Sequence, residues 1–171
     1  MFKIIACINQ KRVIGDKGKL LFHIKNDLSN FKLLTIGNVV VMGRHTYESL
    51  PNGEPLKNRI NIILTTNKEY NIPKNDNIYI ANSIQDVVEL CNAFFSEKDL
   101  FVIGGGEIYK EFLEKKLVDE MILTIVNDET DGDTVFPEYN EDDWNTYFET
   151  LPQSDETHTF IYKLLKKSKN E

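Results

Sequence analysis

Asp27 is a carboxylate set in an apolar helical pattern. If Lys25 to Thr35 is a helix, residues three and four apart share a face, and Asp27 lies beside Ile24, Leu28, Phe31 and Leu34. Burial on such a stripe raises a carboxyl pKa, whereas a helix N-terminus just before it lowers the pKa. An acid in a first turn also simply complements the helix dipole, so the rest of the chain has to decide between these roles. Three further segments suggest a different chemistry. Gly104-Gly105-Gly106 follows the apolar run Leu100 to Ile103 and precedes a helical pattern opening at Glu107, so backbone N–H groups and a positive helix end could meet a phosphate closely. The spacing is not the G-x-G-x-x-G fingerprint, and a tight turn without a ligand uses the same residues. Gly43-Arg44-His45-Thr46 gathers a guanidinium, an imidazole, a hydroxyl and backbone donors in one turn, which suits a phosphate monoester or pyrophosphate, with a solvated basic turn as the plainer reading. Thr65 and Thr66 add hydroxyl donors at the end of a third apolar run.

These segments need strands and helices to position them. Phe2 to Ile8, Asn38 to Met42, Ile60 to Thr66, Ile78 to Ile80, Leu100 to Ile103 and Met121 to Val126 read as strands, the first two as buried on both faces. Helical spacing runs through Ile84, Val87, Val88, Cys91 and Phe95, with Ser83 and Asp86 placed as a capping box, and again from Glu107 to Lys115. Thr46 to Leu50 suggests a short helix before the turn Pro51-Asn52-Gly53. Asn9 to His23 reads as irregular, and a structureless stretch of that length is usually functional; a lid is the expectation. Acidic turns then separate Thr146 to Thr150 from Thr157 to Leu164, an antiparallel pair at one edge, and the Lys-rich tail after Leu164 reads as a solvated end. The expected fold is a single α/β domain over 1–171, with a mostly parallel central sheet of about eight strands, helices on both faces and an antiparallel C-terminal edge. In such a sheet, ligands bind beyond the carboxyl ends of the strands, where all three turn segments fall.

The formal net charge of -7 argues against a nucleic-acid or membrane-surface partner, so any anionic ligand has to meet local basic residues. Two cysteines, Cys7 and Cys91, have neither disulfide-framework nor metal-ligand spacing and read as reduced thiols. Phe2 to Ile8 is too short for a signal segment or a membrane span, which leaves a cytoplasmic location, and no metal site is expected.

Taken together, the segments resemble the dihydrofolate reductase family across essentially the whole chain. The resemblance rests on Arg12-Val13-Ile14-Gly15, Asp27-Leu28-x-x-Phe31-Lys32, Val41-Met42-Gly43-Arg44-His45-Thr46, Arg59-x-Asn61-Ile62-Ile63-Leu64, Val102-Ile103-Gly104-Gly105-Gly106-x-Ile108-Tyr109 and Gly132-Asp133-Thr134-x-Phe136-Pro137, in that order. It implies an NADPH-dependent oxidoreductase, monomeric and a target of antifolates, that reduces 7,8-dihydrofolate to tetrahydrofolate for one-carbon metabolism and thymidylate, purine and glycine synthesis. Hydride would pass to pterin C6 and a proton to N5. The resemblance makes Asp27, Thr124, Leu20 and Tyr109 the catalytic group, with Asp27 bonding the pterin and Thr124 bonding Asp27. It makes Ile5, Ala6, Leu28, Phe31, Leu50 and Ile103 apolar walls of the substrate site and Arg59 the clamp on the glutamate tail. For the cofactor, Cys7, Ile14 and Gly15 would meet the nicotinamide with Ile103 and Tyr109. Gly43 to Thr46 and Gly104 to Gly106 would cradle the pyrophosphate, Arg44, Thr65 and Thr66 would meet the 2'-phosphate, and Glu107 and Ile108 would also border the cofactor. Departures from the family pattern are Leu21-Phe22 where many members have Pro-Trp, Lys25 where some have proline, and Glu107 where some have arginine. A riboflavin-pathway pyrimidine reductase and a non-catalytic NADP-binding module of the same fold are the alternatives; the Asp27 helix and Arg59 speak against the first, and Asp27, Thr124 and Ile14 against the second.

Overall fold

The computed structural model describes residues 1–73 and 75–168. Strand β1 (Phe2–Asn9) lies between β8 (Val118–Val126) and β7 (Leu100–Gly104), parallel to both. Beyond β7 the sheet continues in parallel through β4 (Val39–Gly43), β5 (Ile60–Leu64) and β6 (Ile78–Ala81). On the other side β12 (Thr159–Lys167) pairs antiparallel with β8, and β10 (Trp144–Glu149) and β11 (Gln153–Ser154) pair antiparallel with β12. The order β10-β12-β8-β1-β7-β4-β5-β6 matches the expected parallel sheet with an antiparallel C-terminal edge.

Both faces of the central strands are covered. Alternation sends Ile4 and Ala6 of β1, Val39 and Val41 of β4 and Val102 of β7 to one face. There they meet Ile84, Val87 and Cys91 of α3 (Ile84–Phe94) and Tyr109 and Phe112 of α4 (Gly106–Glu114). Ser83 accepts a hydrogen bond from the Asp86 backbone N–H, 3.0 Å, so α3 starts at the cap expected. On the opposite face Val40, Met42, Ile63 and Phe101 enclose Tyr47 of α2 (Arg44–Glu48). A third cluster joins Phe22 and Ile24, just before α1 (Lys25–Thr35), to Val126 and Phe160.

Several local expectations change. The segment 9–23 is not structureless: β2 (Val13–Asp16) and β3 (Lys19–Leu20) form a hairpin, and β2 also pairs antiparallel with β9 (Thr134–Val135). The segment Gly43 to Thr46 is not a loop, because helix begins at Arg44 with Gly43 as its cap. In β1, Lys3, Ile5 and Cys7 are only half-buried, so one face of that strand borders a cleft instead of a second core layer. Leu28 and Leu34 of α1 are more than 40% exposed, so the stripe around Asp27 is not buried in the core. Finally, β12 extends to Lys167, which makes the start of the Lys-rich tail a strand; 169–171 lie outside the described residues. No helix among the described residues is long and apolar enough to cross a membrane.

Candidate active site

The carboxyl ends of β1, β4, β5 and β7 open onto a cavity of about 800 Å³. Every residue expected at the cofactor lines it: Cys7, Ile14 and Gly15, Gly43 through Thr46, Thr65 and Thr66, and Ile103 through Tyr109. Leu20 of the hairpin lines it too. Close packing accounts for the glycines. A Cβ on Gly43 would lie 3.0 Å from Ile108 Cγ1, and one on Gly106 would lie 2.8 Å from the Val135 carbonyl oxygen. Gly104 has φ +124, a conformation that L side chains rarely adopt, and a Cβ there would meet the Tyr109 ring. The first turn of α4 is capped by Gly105, which has no side chain to satisfy the free N–H groups, so those donors face the cavity without a side-chain cap. Arg44 adds a half-exposed guanidinium nearby. This is a cradle suited to phosphate groups, although the exposed carboxylate of Glu107 sits in the same turn.

Asp27 stands beyond this cavity, at the start of α1. Thr124, near the carboxyl end of β8, donates its hydroxyl to Asp27 Oδ1, and Cys7 of β1 lies beside the carboxylate. Burial nevertheless dominates, and the Asp27 carboxyl is pushed up from the ordinary range, Thr124 and Cys7 opposing the shift. Burial and the facing carboxylate push the Cys7 thiol up in turn, so it stays protonated and can only donate. Tyr109 is fully enclosed; its hydroxyl donates to the Ile5 carbonyl, 2.8 Å, and ties α4 to the strand that carries Cys7.

Further along α1, Phe31 and Thr35 follow Asp27 at four-residue steps, which places Thr35 about 12 Å from it along the axis. Arg59 joins this line. Its Nε donates to Thr35 Oγ1, 2.9 Å, its Nη1 donates to the Lys57 carbonyl, 3.1 Å, and its guanidinium carbon lies 5.9 Å from the centroid of the Phe31 ring. Among the described residues no carboxylate pairs with Arg59, although it is buried and its pKa is lowered by burial. A buried guanidinium without a counter-ion is costly unless an anion meets it. Of the other expected wall residues, Ile5 and Leu50 pack partly buried beside Ile103, and Leu28 is exposed on α1. Ala6 differs: strand alternation turns its side chain into the main core, away from the face that carries Ile5 and Cys7.

Two buried asparagines do positioning work that sequence reading overlooks. Asn61 of β5 accepts from the Leu56 N–H, 2.9 Å, and donates to the carbonyls of Leu56 and Arg59, at 3.0 and 3.1 Å, so it holds the loop that presents Arg59. Asn9 accepts from the N–H groups of Lys11 and Val13 and donates to Asp128 and Thr130, fixing the root of the hairpin. The visible signal is an amide at a buried strand position, which has to be hydrogen-bonded. The hairpin is then latched to the 131–138 segment. Asp133 Oδ2 accepts from the Lys17 N–H, 2.9 Å, the Phe136 N–H donates to the Arg12 carbonyl, 2.7 Å, and Arg12 and Glu138 form an ion pair at 2.7 Å. Phe22, two residues after β3, places its ring edge-to-face with His158 at 5.0 Å.

A crevice beyond the carboxyl ends of parallel strands, walled by glycine turns from neighbouring strands, is the architecture by which α/β proteins hold nucleotides. A family model described as dihydrofolate reductase matches residues 1–169. The chain is 34% identical over 168 residues to the dihydrofolate reductase of Staphylococcus aureus strain Mu50, covering 96% of this chain and 98% of the relative. It is 35% identical over the same length to that of strain MSSA476. A solved structure of dihydrofolate reductase from Enterococcus faecalis complexed with NADP(H) and RAB-propyl superposes with a TM-score of 0.85 at 29% identity, over 99% of this chain and 97% of that one. The chain belongs to the dihydrofolate reductase family.

Proposed function

We propose that this chain reduces 7,8-dihydrofolate to 5,6,7,8-tetrahydrofolate with NADPH, and that Asp27 and Arg59 hold the two ends of the substrate. One observation carries the assignment of residues: a half-buried carboxylate whose pKa is raised and a buried guanidinium with no counter-ion among the described residues lie on one side of α1, with the Phe31 ring between them. That pattern fits a molecule with hydrogen-bond donors at one end, a flat aromatic middle and a carboxylate at the other end. NADPH, when bound, supplies the hydride to pterin C6.

The protein's own residues orient and polarise. Asp27 accepts hydrogen bonds from the 2-amino group and N3 of the pterin, which fixes the ring face and, by placing negative charge beside it, favours protonation at N5. Thr124 keeps the Asp27 oxygens aimed while it bonds one of them. Ile5, Leu28, Leu50 and Ile103 wall the ring, and the Ala6 contribution is its backbone. Arg59 clamps the α-carboxylate of the glutamate tail. Gly104 to Gly106, the start of α4 and Gly43 to Thr46 receive the pyrophosphate; Arg44, Thr65 and Thr66 meet the 2'-phosphate. Cys7, Ile14 and Gly15 meet the nicotinamide, flanked by Tyr109, and Leu20 closes over it from the hairpin. Glu107 lies at the rim and Ile108 packs beneath Gly43.

We further propose that the chain acts as a single-domain monomer in the cytoplasm. One continuous central sheet and the free thiols Cys7 and Cys91 support this reading. The direct test follows NADPH absorbance with dihydrofolate as substrate, beside NADH; turnover with a strong preference for NADPH is expected, and absence of turnover despite tight NADPH binding would overturn the assignment. Arg59→Ala should raise the KM for dihydrofolate about tenfold or more with a smaller loss of kcat, as removal of a charge-assisted contact predicts. An unchanged KM would mean that the tail lies elsewhere.

A further inference from the structure

We infer that Tyr70 is a positioning residue for Arg44 and thereby sets the preference for a 2'-phosphorylated dinucleotide over its unphosphorylated counterpart. The inference rests on the proposed contact between Arg44 and the 2'-phosphate. Arg44 lines the cavity beside Thr65 and Thr66, and its guanidinium carbon lies 5.6 Å from the centroid of the Tyr70 ring. Its Nε is 3.8 Å from Glu48 Oε1, one helical turn on. Tyr70 comes from a different part of the chain. It follows β5, in a turn where its N–H donates to the Asn67 carbonyl at 3.2 Å, and Asn82 braces that turn by donating to the Thr65 carbonyl at 2.8 Å. The ring itself packs against the buried cluster of Val40, Met42, Tyr47, Ile63 and Phe101.

Each of these contacts restricts the guanidinium. An arginine on an open surface samples many rotamers and loses that freedom when it grips an anion. Held over a ring that packs against the core, Arg44 has lost part of it beforehand, and among the described residues its N–H donors make no hydrogen bond, so they can meet a ligand. Glu48 would compete for Arg44, and it also lies 3.8 Å from His45 Nδ1. Burial, and next the nearby Glu48 carboxylate, push the pKa of the Tyr70 hydroxyl up. Tyr70 therefore lies beside both the cation and its competitor. It links the β5 end, with Thr65 and Thr66, to the start of α2, so the two walls of the anionic end are set by one ring.

The experiment measures Kd for NADPH and for NADH by fluorescence titration, together with kcat at saturating NADPH, for Tyr70→Ala, Tyr70→Phe, Tyr70→Leu, Arg44→Ala and the Arg44→Ala/Tyr70→Ala double variant. Tyr70→Ala should weaken NADPH about three- to tenfold, as loss of a partly desolvated cation–π contact predicts, with NADH binding and kcat nearly unchanged. Tyr70→Phe, which keeps the ring, should retain the preference; Tyr70→Leu, which keeps the volume without the π face, should lose it and replaces the alanine variant if that one does not fold. The double variant should be no worse than Arg44→Ala alone. If Tyr70→Ala and Tyr70→Leu weaken NADPH and NADH equally, or neither, the inference fails while a selective loss in Arg44→Ala leaves the anionic-end reading intact. If Arg44→Ala itself leaves the NADPH to NADH ratio unchanged, that reading fails and the inference with it.

Discussion

Asp27 is caught between opposing influences, and their balance has a measurable sign. Burial disfavours the charged carboxylate and is the larger cause, so the folded pKa is raised, while the hydrogen bond from Thr124 and the neighbouring Cys7 thiol oppose the shift. A raised carboxyl pKa means that the protonated form stabilises the fold. That contribution is complete below the ordinary carboxylate range and is lost as the pH climbs through the raised value. At neutral pH the ionised Asp27 is therefore held at a cost to stability, and Asp27→Asn should raise the Tm at pH 7, with the two proteins converging as the pH falls toward the ordinary carboxylate range. Thermal melts across that range check it; a variant less stable at pH 7 would refute the burial argument. The same substitution should slow hydride transfer most near neutral pH and least in acid, where dihydrofolate is itself partly protonated, and a loss independent of pH would count against the role at N5. The identity and spacing of Asp27 were legible in the sequence. The outcome of its pKa was not, because it depends on Thr124 and Cys7, which approach the helix-borne carboxylate from strands β8 and β1.

At the scale of elements, the hairpin of β2 and β3 shows why long-range pairing escapes local reading. β2 has four residues and β3 has two, too short for any period to show, and the partner β9 lies far along the chain. Arg44–Glu48 was hidden differently, because its five residues carry one buried side chain, Tyr47, and thus no apolar repeat. By contrast α3, with its cap and three buried positions at helical spacing, could be placed within a residue. The latch predicts its own weak point. A Cβ on Gly132 would lie 2.5 Å from both the Gly15 carbonyl oxygen and Val13 Cγ1, backbone and anchored side chain that cannot both yield. Gly132→Ala should loosen the hairpin and lower the single-turnover hydride-transfer rate severalfold, while global stability falls little because the contacts at risk are peripheral. Hydrogen exchange over 13–20 would show it: protection unchanged from the parent chain would refute the account. The ion pairs Arg12–Glu138 and Lys11–Asp131 are exposed and add little to the latch.

Across the whole molecule, the alternation of strands and helices made the parallel sheet and its antiparallel edge readable, since that pattern leaves few topologies. The coupling between core and cleft was not readable. Phe136 follows β9, is fully buried, and packs 5.1 Å from the Tyr109 ring, which in turn bonds Ile5 at the cleft. Phe136→Ala should cost about 3 to 5 kcal/mol in urea unfolding and should also weaken NADPH binding, since the cavity left behind lets Tyr109 shift. A stability loss with unaltered cofactor affinity would separate the two.

The sheet's open margins carry a last consequence. β6 offers only four residues to a neighbour, and in β10 the register slips between Thr146 and Phe148, leaving Tyr147 without a partner on β12. A slip of this kind bends and twists the outermost ribbon, so its free amides and carbonyls cannot template a straight strand from another molecule. Tyr147, Phe148 and Leu151 are exposed near that margin, yet the bend denies them the flat seam on which fibres grow. The protein should therefore sediment as one species with the mass of a single chain even when concentrated, its resistance to aggregation residing in one unpaired residue.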